Sequence, residues 1–202
     1  SVIGRDFAFK ILKTILELGE ELRGHLTSLV GLEILYEKAL FPELEYIFKH
    51  ALTQEVAYES LLKQRRQVIH GRIAQAIEEI YADKLDEHYE LLAHHYEQSG
   101  NFDKVVDYLI LAGEKSNQNN AIQAASKFFQ RTLGLVDTKG IRLDVKEEIR
   151  TRSGLAVAAH HLGAMAVAVE EHKKIVKLAQ QHSLTDYETE SLFLLAWLMM
   201  GW

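Results

Sequence analysis

The chain has 202 residues, of which 48% are hydrophobic, enough for a buried core in one large domain or two small ones. It has no cysteine and a formal charge of −6, which excludes disulfides and cysteine-bound metals and argues against a generally basic nucleic-acid-binding surface. It has one proline, where about ten would be ordinary for this length, and this indicates a mostly helical chain. No apolar run reaches the roughly 18 to 20 residues that span a bilayer, so we expect a cytoplasmic protein with no membrane partner.

Apolar residues at helical spacing predict two short helices, over residues 5–16 and 19–30. The period then changes from 3.6 to 2. Two segments alternate apolar with charged residues, and their apolar members are Leu32, Ile34 and Tyr36, then Leu44, Tyr46 and Phe48. This pattern predicts a β-hairpin near residues 32–49, with its turn at residues 38–42 around the single proline.

A further helix is predicted after the hairpin, from Thr53 to Leu61. The order helix, helix, hairpin, helix is that of a winged-helix-like unit, which we place at residues 1–62. The alternative is a helical domain that carries one additional hairpin.

From residue 63 onward the periodicity predicts only helices, with breaks at Gly100, at residues 117–120 and 137–140, and at Gly163. Such helices are typical of stacked antiparallel pairs. One stretch follows the tetratricopeptide pattern of alternating large and small contact residues: Tyr89, Leu92, Ala93, Tyr96, Gly100, Phe102 and Ala112. Weaker matches are Ala125 with Phe129, and Leu155 with Ala156. We predict a mainly α fold with a tetratricopeptide-like array over residues 63–202; an irregular helical bundle is the alternative.

The chain ends in an apolar segment, and we expect the array to be truncated there. The last predicted helix then lacks a partner helix, and its apolar stripe is free to meet a second molecule. We predict a homodimer through this stripe as a consequence of truncation. Its residues are Leu192, Leu195, Leu198, Met199 and Trp202.

Three segments together resemble a known group of proteins: SVIGRDF at residues 1–7, FKHALTQEVAYESLL at residues 48–62 and LAHHY at residues 92–96. They are similar to the region that follows the ATPase module in multidomain bacterial adenylate/guanylate cyclases and related regulators with an AAA-like, signal-transduction-type ATPase. The resemblance covers about residues 1–115. It implies a winged-helix-like segment followed by helical repeats, and it brings no catalytic residue, because the group's phosphate-binding loop and cyclase carboxylates lie upstream.

The residues themselves indicate no catalytic, cofactor-binding or metal site. None of the ten histidines forms a His-x-x-x-His pair, and the adjacent pairs His94-His95 and His160-His161 point about 100° apart on a helix. The chain has neither a phosphate-binding loop pattern nor a Gly-x-Ser-x-Gly elbow. We therefore expect no cofactor and no enzymatic activity in this chain.

A DNA-binding winged-helix regulator is the alternative function, since Lys63, Arg65, Arg66 and Arg72 form a local basic cluster. Residues 1–62, however, contain six Lys or Arg and ten Asp or Glu, a balance of −4 that opposes phosphate binding. We expect a regulatory, protein-binding module instead, because helical arrays hold partners on a concave face. The candidate partner surface comprises His88, His95, Gln98, Arg152 and His160.

Overall fold

The computed structural model describes residues 1–16, 21–39 and 43–200. In these residues the chain is mainly α-helical, with ten α-helices and a small antiparallel sheet of three strands. It divides into two compact units, Ser1–Val105 and Val106–Trp202. The predicted boundary between residues 62 and 63 falls inside the first of these units.

The first unit contains the strands and the first five helices. In chain order its elements are β1 (Asp6–Ala8), α1 (Phe9–Leu16), α2 (Glu21–Gly31), β2 (Leu35–Ala39), β3 (Glu45–Phe48), α3 (Ala51–Glu59), α4 (Lys63–Ile80), a 3-10 helix (Ala82–Glu87) and α5 (Tyr89–Ser99). The predicted hairpin is confirmed, because β2 and β3 pair antiparallel. Residues 40–42 of its predicted turn, including the proline, lie outside the described residues.

The sequence did not predict β1. This strand is three residues long, too short for a recognisable period, and it pairs antiparallel with β3 across a long stretch of chain. Phe7 lies opposite Tyr46, and the sheet order is β1-β3-β2. The first predicted helix therefore begins only at Phe9.

One face of the sheet forms the core of the first unit. Phe7, Leu35, Tyr46 and Phe48 are buried there together with Leu22 and Leu26 of α2. The alternation predicted for β3 is confirmed, but in β2 the buried residue is Leu35, and Tyr36 is 42% exposed. Leu35 pairs with Phe48, so it shares the inner face of that residue, and a shift by one residue moves every side chain of a strand to the other face.

The second unit is built from consecutive helices. The helix α6 (Phe102–Gln118) begins just before it, and α7 (Ile122–Lys139), α8 (Val145–His161), α9 (Met165–Gln181) and α10 (Thr185–Met200) follow. Each of α7, α8 and α9 packs against the next helix, which is consistent with a helical repeat array. Helices end near all four predicted breaks, although residues 117–118 and 137–139 are still helical, and Gly100, Gly140 and Gly163 have the positive φ that commonly ends a helix.

The predicted match at Ala125 and Phe129 lies in the core of the second unit. Both residues are fully buried and cluster with Leu155 and Ala158 of α8. The Phe129 ring fits against two glycines, since a Cβ atom would lie 2.7 Å from the ring at Gly113 and 2.3 Å from it at Gly154. Helix contact at this point depends on the absence of side chains at both positions.

Candidate functional site

A cleft of about 440 Å³ lies in the first unit, between the outer face of the sheet and the segment from Tyr81 to His94. Strand pairing builds the sheet side of this cleft. Asp6 and Ala8 alternate with the buried Phe7, and Ala8 lies opposite Glu45, so these side chains share the outer face. The other lining residues are Ile3, Gly4, Phe7, Ile11, Lys38, Tyr81, His88, Leu91 and His94.

Lys38 joins the two carboxylates of the cleft. Its Nζ atom donates to Oδ2 of Asp6 at 2.6 Å and lies 3.3 Å from Oε2 of Glu45. The hydrogen bond from Lys38 holds the pKa of Asp6 below its usual value, and the two carboxylates raise the pKa of Lys38. Asp6 and Lys38 thus remain charged and bonded to each other at neutral pH.

Tyr81 lies on the wall of the cleft opposite the sheet, and its hydroxyl is also bonded to a carboxylate. Its hydroxyl donates to Oε2 of Glu43 at 2.8 Å, and Oε1 of Glu43 accepts from Nζ of Lys10 at 2.6 Å. Burial and this carboxylate raise the pKa of Tyr81. The His88 ring lies against the Tyr81 ring, with 4.3 Å between ring centroids. His88, predicted for the partner surface, is therefore a half-buried wall of this cleft.

Beneath the cleft, two buried histidines join α4 to α5. Nδ1 of His70 and Nδ1 of His95 are 2.8 Å apart, and the Tyr58 hydroxyl lies 3.2 Å from Nε2 of His70. Burial, and then the neighbouring histidines, lower the pKa of His70 to about 4 and that of His95 to about 3. Both rings are neutral near pH 7, and one Nδ1–H donates to the other Nδ1.

This burial corrects the prediction for His95. The residue is fully buried and does not belong to a partner surface; within the described residues its Nε2 atom has no hydrogen-bond partner. The signal was present in the sequence, because His95 follows the buried Leu92 by three positions and precedes the buried Tyr96 on the same stripe. Gln98, by contrast, is exposed, and its place on a partner surface stays a prediction.

The remaining candidates for the partner surface, Arg152 and His160, belong to the second unit. Arg152 forms ion pairs with carboxylates of its own chain. Its guanidinium donates to Oε2 of Glu171 on α9 at 2.8 Å and to Oε1 of Glu148 at 2.9 Å. Glu171 is only 6% exposed and also accepts from Nζ of Lys174 at 2.8 Å. Burial disfavours the charge of Arg152, but the two carboxylates raise its pKa. Arg152 therefore ties α8 to α9.

His160 adjoins the terminal helix, since its ring centroid lies 5.2 Å from that of Trp197 on α10. Of the residues predicted for self-association, Leu192 and Met199 are exposed and Leu195 is half-buried. Leu198 is buried against Ala159 and Ala168 of its own chain and so is not available to a second molecule. Trp202 lies outside the described residues.

The exposed apolar stripe of α10 contains three residues that the prediction missed. Phe193, Trp197 and Met200 are exposed and follow one another at i, i+4 and i+7, which places them on one side of the helix. The spacing predicted a stripe that includes Leu195 and Leu198, because both sides of the helix are apolar and spacing alone does not separate the inner side from the outer one.

Among residues 1–16, 21–39 and 43–200, no group of three or more His, Asp or Glu side chains is placed to hold a metal ion. In the same residues, no helix is both long enough and apolar enough to cross a membrane.

Comparison with known proteins found one significant relative of unassigned function. An uncharacterized protein of Rhizobium meliloti (strain 1021) is 26% identical to the chain over 161 residues, which are 78% of this chain. The matched region is 15% of the length of that relative. No protein-family model matches the chain.

Proposed function

We propose that the chain is a non-catalytic regulatory and protein-interaction module of a multidomain bacterial signalling ATPase, of the adenylate/guanylate cyclase kind, that acts in the cytoplasm. The proposal rests on the location of the large exposed apolar side chains. One group of them lies on α3 and around the start of α4, as Leu52, Val56, Leu62 and Val68, a second group lies on α10, and the others are spread over the rest of the described residues. Exposed apolar surface of this extent is typical of contacts with other proteins.

The polar groups of the cleft favour the same interpretation. Lys38 is bonded to Asp6 and Glu45, and Tyr81 is bonded to Glu43. Groups that are engaged in this way are held in place by one another and are not poised as a nucleophile with its base. The cleft therefore resembles a packing contact between the sheet and residues 81–94 more than an active site.

The topology of the first unit supports the winged-helix part of the proposal. Along the chain, the helices α1 and α2 lie between β1 and β2. In the sheet, β3 lies between β1 and β2, which gives the order β1-β3-β2. A β-hairpin that follows a helix pair and adds to an earlier strand is the arrangement of a winged helix. The consecutive pairs from α7 to α10 support the tetratricopeptide-like part.

The ATPase context is tested on the full-length protein. We expect a phosphate-binding loop in the residues that precede Ser1, and a reading frame without one would contradict the proposed context. The isolated chain should not turn over ATP or GTP, and measurable turnover that copurifies with it through a second chromatographic step would contradict its non-catalytic role.

The interaction role is tested by binding in trans. The separately expressed ATPase module should bind the 202-residue chain, and replacement of Leu52 and Val56 on α3 by Asp should weaken this binding at least tenfold, a change of about 1.4 kcal/mol. Val157→Asp, on an exposed apolar residue of α8, is the matched control and should bind normally. Equal affinities for all three proteins would contradict the assignment of the α3 surface.

DNA binding is the second candidate, because the proposed winged-helix topology is shared with DNA-binding proteins and α4 exposes Lys63, Arg65 and Arg72. Arg66 of the same cluster lies over the Tyr58 ring at 4.7 Å. A fluorescence titration with mixed-sequence duplex at low salt separates the two functions. Binding that weakens as salt rises would favour a DNA reader, whereas we expect no binding.

A further inference from the structure

The terminal helix α10 is apolar on more sides than its own chain covers. Residues 192–200 are nine consecutive apolar residues without a charge. The helix packs against α9, yet only Ser191 and Leu198 are buried, whereas α8 has six buried residues. A helix that is apolar all round is normally buried all round.

The uncovered side forms one continuous face. Phe193 is 71% exposed, Trp197 is 55% exposed and Met200 is 83% exposed. Leu192 and Met199 lie beside this line, also exposed and seven positions apart. We call these five residues the α10 face.

From this face we infer that α10 is a dimerisation helix, which pairs with α10 of a second copy of the chain about a two-fold axis, with the two helices antiparallel. This inference goes beyond the proposed function and does not depend on it. It also differs from the dimer predicted by sequence, which used Leu195 and Leu198 on the inner side of the helix.

The absence of charge favours a second copy over a partner of another kind. A face with acidic or basic groups would call for a partner of opposite charge, whereas an uncharged face of aromatic and aliphatic side chains is complementary to itself. Two-fold pairing brings the same surface of both molecules together, which such a face permits.

The charges elsewhere on α10 favour the antiparallel arrangement. The acidic residues Asp186, Glu188 and Glu190 all lie in its first half. In a parallel pair these carboxylates would face one another, and like charges repel. In an antiparallel pair they lie at opposite ends, and the helix dipoles also oppose each other favourably.

The size of the face is sufficient for a specific contact. A large apolar side chain presents about 150 to 250 Å² when fully exposed. These five are between 47% and 83% exposed, so they offer on the order of 600 Å² per copy. Two copies together would bury roughly 1,000 Å² or more, which is where specific interfaces begin.

The first test is the mass of the 202-residue chain in solution. Sedimentation equilibrium from low to high micromolar concentrations should show a reversible monomer–dimer equilibrium. Phe193→Glu should weaken dimerisation at least tenfold, and Leu32→Glu, at an exposed leucine just after α2, should leave it unchanged. A monomeric parent at the highest concentration, or a Phe193→Glu dimer of unchanged affinity, would overturn the inference.

The second test reports orientation and uses the absence of native cysteine. Ala196 is exposed at the middle of the α10 face, so in an antiparallel pair Ala196→Cys lies near the two-fold axis and should cross-link to its copy under mild oxidation. A cysteine at Phe193 should not cross-link to itself, because its counterpart lies about one turn beyond the axis. Cross-linking of both variants with equal efficiency would indicate a parallel pair and contradict the arrangement.

A longer form of the protein provides the decisive comparison. If a following helix of the same chain occupies the α10 face, a protein extended beyond Trp202 will be monomeric and indifferent to Phe193→Glu, and the inference fails. If a second copy is the occupant, the extended protein will dimerise and respond to Phe193→Glu as the shorter chain does.

Discussion

His70 and His95 meet Nδ1 to Nδ1 at 2.8 Å between α4 and α5. The geometry requires at least one neutral ring, because a contact between two imidazolium N–H groups would place two donors and two positive charges together. The pair also couples the packing of α4 on α5 to pH, because a proton on either ring adds a charge to a buried contact. Within the described residues its charged and hydrogen-bonding neighbours are His94, Arg66 and the Tyr58 hydroxyl, none of which is a carboxylate that could stabilise a proton on either ring.

The first prediction is acid sensitivity of the first unit. Both folded-state pKa values, about 4 for His70 and about 3 for His95, lie below the ordinary value of 6.5. The unfolded chain therefore takes up protons first as the pH falls, and the stabilisation present above pH 6.5 is lost progressively toward pH 4. The slope is at most about 1.4 kcal/mol per pH unit for each histidine. Urea unfolding followed by circular dichroism across this window measures it.

The control for this prediction removes both titrating groups. His70→Leu combined with His95→Leu should flatten the pH dependence between neutral and acidic pH, whereas replacement of the exposed His25 by Asn should leave it intact. Equal slopes for the parent and the double variant would show that other groups dominate acid unfolding.

The second prediction concerns the close fit of Phe129. Gly154→Ala places a Cβ atom 2.3 Å from the ring, so the ring or the helix must move, and we expect a loss of about 1 to 3 kcal/mol of stability. Gly134→Ala is the matched control, because its Cβ meets nothing within 4 Å and alanine favours a helix over glycine by about 1 kcal/mol. Thermal unfolding should therefore move in opposite directions for the two variants.

A double variant checks the cause of that destabilisation. If the ring is the obstacle, Phe129→Leu should be less harmful in the Gly154→Ala background than in the parent, because a smaller side chain leaves space for the new methyl group. Additive effects of the two changes would locate the strain elsewhere.

The third prediction concerns Arg152 and Glu171. Arg152→Ala leaves the nearly buried Glu171 with Lys174 as its remaining ion-pair partner among the described residues, and the loss of stability should be about 2 kcal/mol or more. Lys38→Ala breaks an ion pair of exposed groups and should cost less than about 1 kcal/mol. Equal losses in urea unfolding would contradict the distinction between buried and exposed pairs.

Hydropathy patterns predicted the helices and the hairpin, but they did not predict which side chains of these elements would be in contact. The helices and the hairpin have long, regular periods, and their breaks coincide with glycines such as Gly140 and Gly163 that adopt positive φ. The strand β1 was not predicted, because its three residues form a strand only through their pairing with β3. The face of β2 was misjudged because the register that buries Leu35 is set by Phe48 on the neighbouring strand.

The candidate site depended even more on tertiary contacts. A helix stripe places His95 beside Leu92, but only the approach of α4 shows that His70 is its partner. From the sequence of its own helix, Arg152 is predicted to be a surface charge. In the structure it forms an ion pair between two helices with Glu171, nineteen positions away. Spacing along one helix carries no information about what the next helix presents.

The last prediction separates the inner and outer sides of α10. Leu198 is 6% exposed and packs on Ala159 and Ala168, so Leu198→Ala should destabilise the second unit by about 2 to 3 kcal/mol, in keeping with a truncated core leucine. Phe193→Ala changes an outward side chain and should alter the stability of the monomer by less than about 0.5 kcal/mol. Urea unfolding at a concentration low enough to keep the parent monomeric measures both. A larger loss for Phe193→Ala than for Leu198→Ala would mean that α10 is rotated about its axis relative to this structure, with the aromatic stripe turned toward α9.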